Sequence, residues 1–354
     1  MVKSSPKFDL LESQLGAKWF NIHAAQARSR AKQGELETAL EGIVSDDTSV
    51  VISGSLARGE FTEGSDIDWT FLVDGSADPQ HLKLTQQIRD IVHRVSAKPP
   101  GKEGTFGNMV FSHNLIHHIG GEDDTNSNTT RRVLLLLESE AIGRRDAYDR
   151  VVKNLLKRYL TEDGGFSRGS TQYHVPRFLL NDFARYWRTM AVDFAYKQRD
   201  RSGKGAIIRN LKLRMSRKLI YVSGLLACFS CHLGLNEGNT PATCQKPLGS
   251  PECIECLQHF LRQTPIEILA GTLIRFNSLA TARYIFDAYD EFLGMLSDPT
   301  IRQCLETLPL DPESKHETFQ RARELSHVFQ DGLLKLFFSD NSDLSELTKE
   351  YGVF

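Results

Sequence analysis

The sequence predicts an α+β protein, with a small sheet-bearing unit over residues 45–145 between leading helices over 1–44 and an all-helical part over 146–354. Three observations carry that reading. Two short apolar runs rich in β-branched residues, Ser49-Val50-Val51-Ile52 and Ile67 to Val73, each stop at a glycine-bearing turn, as strands do. From Ala147 almost to the end, apolar residues recur at three- and four-residue spacing, the period of amphipathic helices. The chain has 354 residues, 40% of them apolar and 25% charged, which excludes disorder for most of the length and leaves room for two domains.

Element by element, Phe8 to about Val44 reads as two helices, with Leu11, Leu15, Trp19, Leu36 and Leu40 at helical spacing. The two strands follow, separated by a short helical turn, and Leu82 to Val95 has the period of an amphipathic helix. Lys98-Pro99-Pro100-Gly101 is a breaker, and Met109 to Ile116 is the next strand. A loop rich in Gly and Asp, Gly120 to Asn128, leads into a buried helix over Thr129 to Ala141 with the run Leu134-Leu135-Leu136-Leu137. Helices then follow over Tyr148–Leu160, Arg177–Gln198, Gly205–Leu233, Ile266–Leu296 and His316–Phe338, with a long loop over Asn236–Pro251. No internal repeat is present.

The 43 Lys and Arg against 45 Asp and Glu give a net charge of −2, too balanced for a protein that coats nucleic acid with its whole surface. The longest apolar stretch, Leu219 to Leu235, is broken by Ser223, Gly224, Ser230 and His232 and falls short of the ~20 residues of a membrane span. The start, MVKSSPKFDLLESQLG, lacks the apolar run of a secretory signal, so the expectation is a cytoplasmic protein without a membrane partner. Its six cysteines are then thiols or metal ligands rather than a disulfide framework. Cys228-x-x-Cys231 and Cys253-x-x-Cys256 have the spacing of a structural Zn²⁺ site, and buried thiols or a redox pair are the alternatives.

The segment with the most chemistry runs Gly54-Ser55-Leu56-Ala57-Arg58-Gly59-Glu60, then Phe61 to Gly64, then Ser65-Asp66-Ile67-Asp68-Trp69. A strand ending in Gly-Ser at the start of a helical turn offers backbone N–H groups to an anion, and the glycine lets a phosphate come close. Asp66 and Asp68, two apart on an extended chain, point the same way, and two carboxylates side by side call for a cation between them. Mg²⁺, a hard cation that combines one or two carboxylates with substrate phosphates, matches that demand.

With nine residues between Ser55 and Ser65, the segment GSLARGE…GSDID resembles the polymerase-β-like nucleotidyltransferase superfamily. Within it the form is most similar to the PII uridylyltransferases and glutamine synthetase adenylyltransferases. NTTRRVLLLLESEAIGRRDAYDRVV is similar to the helix after the core in uridylyltransferase-like proteins, and NDFARYWRTMAVDFAYKQRD with RNLKLRMSRKLIYVSGLL resembles the helical partner of bacterial nucleotidyltransferase-like proteins. The resemblance covers roughly residues 45–235. It implies a small mixed-sheet nucleotidyltransferase core, with the residues 1–44 helices packed on it and the residues 146–354 helical domain covering the nucleotide cleft. It also implies two Mg²⁺ ions, or Mn²⁺, on Asp66 and Asp68, with Gly54, Ser55 and Ser65 at the nucleotide. The reaction implied is transfer of a nucleoside monophosphate from an NTP, ATP or UTP, to a hydroxyl of a protein, small molecule or RNA. The alternative is a noncatalytic nucleotide- or RNA-binding module on the same fold.

Two further sets of residues bear on that reading. The family's third carboxylate on a later strand has no counterpart in Met109 to Ile116, so Asp124, beside Glu122 and Asp123, is the candidate, with His113 as a substitute. Arg58 is a candidate phosphate ligand or else a partner of Glu60 or Glu63. Between Arg177 and Lys218, twelve basic residues face three acidic ones, a surplus that calls for an anion and makes Arg185, Arg209 and Lys212 candidate phosphate contacts. The same surplus would serve RNA, and a solvated helix face is the bland alternative.

Overall fold

A computed structural model describes residues 6–96, 105–166, 175–200, 205–233, 247–309, 311 and 314–352. These fall into two compact units, one of Ala25–Asp182 with Lys246–Thr264, the other of Met1–Ala24, Phe183–Gln245 and Pro265–Phe354. The long loop expected over Asn236–Pro251 lies mostly outside the described residues.

The first unit is built on four strands, β1 (Thr48–Ser53), β2 (Asp68–Val73), β3 (Asn108–Phe111) and β4 (Ser139–Ile142), in the order β3-β2-β1-β4. β1 runs antiparallel to β2 and β4, and β2 runs parallel to β3, so the sheet is mixed. Alternation along β1 and β2 sends Val50, Ile52, Trp69, Phe71 and Val73 to one face. There they form a core with Leu36 of α2 (Phe20–Ala39) and Ile88, Ile91 and Val92 of α4 (Gln80–Val95). The other face carries Ser53, Asp68 and Thr70, and beside them Val51, Leu72 and Val110 meet Leu134 and Leu135 of α6 (Asn126–Leu137). The single-turn α3 (Gly54–Arg58) follows β1, and α5 (Ser112–His117) follows β3. α7 (Asp146–Phe166) and α11 (Pro251–Leu261) pack together in this unit, where Gln258 donates to the Asp149 carbonyl.

Two expected elements differ. β3 stops at Phe111, and the rest of the expected strand, to Ile116, lies in the helix α5 (Ser112–His117). The helix expected to run to Ala141 ends at Leu137, because Glu138 leaves helical geometry (φ −146°, ψ 46°) and Ser139–Ile142 pair with β1 as the fourth strand. Ser-Glu-Ala-Ile has no strand signature of its own, and pairing with an already buried β1 overrides its propensity.

The second unit is helical: α1 (Pro6–Leu15), the start of α2, most of α8 (Arg177–Asp200), α9 (Ala206–Lys212), α10 (Lys218–Leu233), α12 (Pro265–Arg275), α13 (Leu279–Ser297), α14 (Pro299–Thr307), α15 (Glu317–Lys335) and α16 (Ser342–Leu347). A π-helical turn, Leu213–Arg217, joins α9 to α10. The long helix expected over Ile266–Leu296 breaks at Asn277, whose φ of +52° is a left-handed conformation that Asn tolerates better than most residues. Residues 6–24 group with this unit. Phe8, Trp19 and Phe286 pack together with tilted and edge-on rings, Trp19 Nε1 donates to Asp287 (2.8 Å) and Asn21 Nδ2 to Asp290 (2.8 Å). Glu12 ties α1 to α2 by accepting from the Trp19 N–H (2.8 Å) and meeting His23 (2.8 Å). Burial pushes its carboxyl up, but those two groups and Lys18 outweigh it and hold it below the usual range. Among the described residues no helix is long and apolar enough to cross a membrane.

A buried ionic network holds the helices around the sheet's open face. Arg132 of α6, fully buried, donates to both oxygens of Asp124 (2.8 Å each), to Asp182 (3.0 Å) and to the Tyr159 hydroxyl (3.0 Å), while Tyr159 donates to Asp182 (2.5 Å). Burial, then the Asp182 charge, pushes the Tyr159 hydroxyl well above its ordinary range, so it stays protonated and donating. Replacing Arg132 with Met should cost about 3–5 kcal/mol in equilibrium denaturation, because Asp124 and Asp182 are left buried without their cation. The deficit should shrink as pH is lowered, since stranded carboxylates have raised folded-state pKa values and gain stability by taking up protons.

Candidate active site

The site is assembled by the β1–β2 pairing. Register sets Ser53 opposite Asp68, and β4 adds Ser139 opposite Ser53, so a carboxylate and two hydroxyl residues stand in one row across the sheet. Gly54 follows Ser53 with φ +71°, a left-handed turn natural for glycine, and a Cβ there would lie 3.0 Å from Asp68 Oδ2. The glycine therefore lets the strand end come down onto the carboxylate. Ser55, half-buried, opens α3, which Gly59 closes at φ +77°.

Before β2, burial alternates: Ser65, Ile67 and Trp69 are buried, Asp66 is exposed, and Asp68 and Thr70 are half-buried. That alternation puts Asp66 and Asp68 on the same side of the chain. The Ser65 hydroxyl accepts from the Thr62 N–H (3.1 Å) and meets the Thr62 hydroxyl (3.1 Å), so it braces the loop leading into Asp66. Carboxylates on one side of the chain beside a glycine are the kind of oxygen donor that a hard divalent cation shared with phosphate would use.

Residues 35–102 match the nucleotidyltransferase domain family, a span that includes β1, the Gly54 turn, β2 and α4. The chain carries a nucleotidyltransferase domain. No curated protein and no solved structure matches the chain.

Around this nucleotidyltransferase motif the structure redistributes several candidates. Arg58 is buried and paired with Glu60 (2.9 Å) and with Glu138, the residue between α6 and β4. Two carboxylates already surround its single charge, which favours a bracing role for α3 over a phosphate contact. Both oxygens of Asp124 are engaged by Arg132, and the Gly120 N–H adds a further bond (3.1 Å), which favours a structural role for this carboxylate over that of a third metal ligand. Glu122 and Asp123 are exposed on the same loop. Among the strands, Asp68 is the sole carboxylate on this face, because Glu140 of β4 pairs with Ile52, whose face is the core, and is bound to Arg145 (3.1 Å). His113 lies exposed on α5, its ring 4.8 Å from that of His117.

Arg131 is the residue that sequence reading passed over. Adjacent helical positions diverge by about 100°, so while Arg132 enters the buried network, Arg131 lines a cavity on the Asp68 face with Ser53, Thr70, Phe106, Leu134 and Leu135. Burial lowers its pKa, meaning that the guanidinium's charge is held partly out of water. The Arg131-Arg132 doublet before a Leu run was the available signal, and only packing distinguishes its two members.

Arg185, Arg209 and Lys212 all belong to the helical unit and are half-buried, with the Arg209 guanidinium folded against Gly205. The cysteine pairs are divided between units. Cys228 and Cys231 are buried in α10 of the helical unit, and Cys253, also buried, shares α11 of the sheet unit with half-buried Cys256. Among the described residues the group able to offer three metal ligands to one point is Asp9, Glu12 and His23, not a cysteine set. Glu12 there is already occupied as the α1–α2 tie.

Gly54→Ala should impose a left-handed alanine, about 1–2 kcal/mol of backbone strain, and push the Asp68 carboxylate aside. Pyrophosphate release should fall at least tenfold while equilibrium denaturation loses only about that 1–2 kcal/mol and the protein stays folded, and unchanged release would show that the close approach is unimportant.

Proposed function

We propose that the nucleotidyltransferase domain is catalytic and metal-dependent, moving a nucleoside monophosphate from an NTP to a hydroxyl acceptor with release of pyrophosphate. The observation that carries this is the approach of Gly54 to Asp68 at the end of β1, with Asp66 on the same side of the chain.

The donor set fits the cation that the fold family uses, being carboxylate oxygens beside a backbone close enough for a phosphate. Asp66 and Asp68 would hold the divalent ions, Mg²⁺ or Mn²⁺, which when bound would neutralise charge on the triphosphate and on the attacking and leaving oxygens. The chain's own groups do the positioning. Gly54 and Ser55 receive the terminal phosphates, and Arg131 adds a cation on the same face, where partial burial strengthens its attraction for phosphate. The Arg58–Glu60–Glu138 cluster fixes α3, and Ser65 fixes the loop that presents Asp66. ATP and UTP are the favoured donors, with a protein, small-molecule or RNA hydroxyl as acceptor, in keeping with the resemblance to uridylyltransferases and adenylyltransferases.

A second reading, a noncatalytic nucleotide-binding module, is favoured by one observation: β3 and β4 bring no further carboxylate to the Asp68 face. Incubation with each α-labelled NTP, Mg²⁺ or Mn²⁺ and cell extract separates the two. The catalytic reading expects label on an acceptor, lost in Asp66→Asn and Asp68→Asn with stability within about 1 kcal/mol of the parent, since removing clustered like charge rarely harms a fold. NTP binding without label transfer or pyrophosphate would favour the module.

A further inference from the structure

The helical unit holds a mixed nitrogen and oxygen set that the reading above does not use. Asp9 and Glu12 stand three apart on α1 and so share a face, and His23 meets them from the first turn of α2. One ligand atom from each lies within 4.8 Å of the other two.

Two observations separate this set from a crowding of surface acids. The first is burial, since the Glu12 side chain is 7% exposed and the His23 ring 25%. The second is that the two oxygens of Glu12 divide their tasks. Oε1 accepts from the Trp19 N–H (2.8 Å), which fixes the carboxylate, while Oε2 is turned to His23 Nε2 (2.8 Å). The imidazole in turn packs on the Phe8 ring, 5.5 Å away. One oxygen held by the backbone and the other presented beside an oriented imidazole is how a metal ligand is supported by its surroundings. Glu12 is ionised at neutral pH, because Trp19, His23 and Lys18 outweigh its burial. Lys18 Nζ, 3.5 Å from the same Oε2, sits on a side chain 57% exposed and is able to swing into water.

Chemistry and geometry select the ion. Imidazole nitrogen beside carboxylates suits Zn²⁺ and its first-row neighbours, whereas Mg²⁺ takes oxygen ligands in a near-ideal octahedron. Tetrahedral ligands at about 2.0–2.1 Å from Zn²⁺ stand roughly 3.3 Å from one another. The Glu12–His23 pair therefore opens by about half an ångström to admit the ion, and Asp9, exposed in the first turn of α1, closes on it by turning its side chain.

We propose that Asp9, Glu12 and His23 bind one Zn²⁺ ion, with water as the fourth ligand, in place of the hydrogen bond between Glu12 and His23. The ion joins α1 to α2 close to where Trp19 and Asn21 hold α13 through Asp287 and Asp290. Asp66 and Asp68 belong to the other unit, so this site stands apart from the nucleotidyltransferase reading.

The test is calorimetric titration of the full chain with Zn²⁺, after resident metal is stripped by a chelator and dialysis, in excess Mg²⁺ to compete for sites made of oxygen alone. The expected result is one saturable Zn²⁺ site, weakened about tenfold to hundredfold in Asp9→Asn and in His23→Gln and unchanged in Asp68→Asn. Co²⁺ in place of Zn²⁺ should give a visible spectrum without the charge-transfer band of a thiolate ligand. Asp9 is exposed, so metal-free Asp9→Asn should melt like the parent, and Zn²⁺ should raise its melting temperature less than the parent's. Absence of a saturable Zn²⁺ site, or affinity indifferent to both substitutions, would overturn the assignment. A thiolate band on Co²⁺ or loss of the site in Asp68→Asn would place the ion elsewhere and overturn it as well.

Discussion

The pairing of β1 with β2 is the constraint on which the rest of the site depends. It puts the last residue of one strand, Ser53, beside the first of the next, Asp68, and the left-handed Gly54 then folds the chain against that carboxylate. The pairing is secured from behind, where Val50, Ile52, Trp69, Phe71 and Val73 are buried against α2 and α4. A one-residue slip would expose that whole apolar set and turn Asp68 into the core. The core thus fixes the position of a charge it never touches.

Two buried cations hold the frame while a third lines the Asp68 face. Arg132 and Arg58 are each met by two carboxylates, the first joining α6, α7 and α8, the second joining α3 to the segment before β4. Both are expensive to bury, and their satisfied geometry is what makes them tolerable. Arg131 lines the cavity beside Thr70 and Ser53, on the face that carries Asp68.

The strands β1 and β2, the Gly54 turn and the Asp66–Asp68 pair were legible in the sequence because each is specified locally, by β-branched runs, a glycine and a two-residue spacing. What was not legible depends on partners far along the chain. β4 is strand only because β1 lies open beside it, and Asp124 is committed only because Arg132 and Asp182 converge on one buried point. Arg58 could be read either way until Glu138 was placed near it. The membership of α1 in the helical unit and of α11 in the sheet unit likewise rests on long-range packing.

The central claim is that Asp66 and Asp68 together hold the metal on which nucleotide binding and transfer depend. Titration of Mn²⁺ followed by electron paramagnetic resonance, with and without a non-hydrolysable NTP, tests it most directly. The account predicts that nucleotide tightens Mn²⁺ binding to the parent protein and that Asp66→Asn and Asp68→Asn abolish this tightening. Mn²⁺ binding that is indifferent to both substitutions in the presence of nucleotide would contradict it.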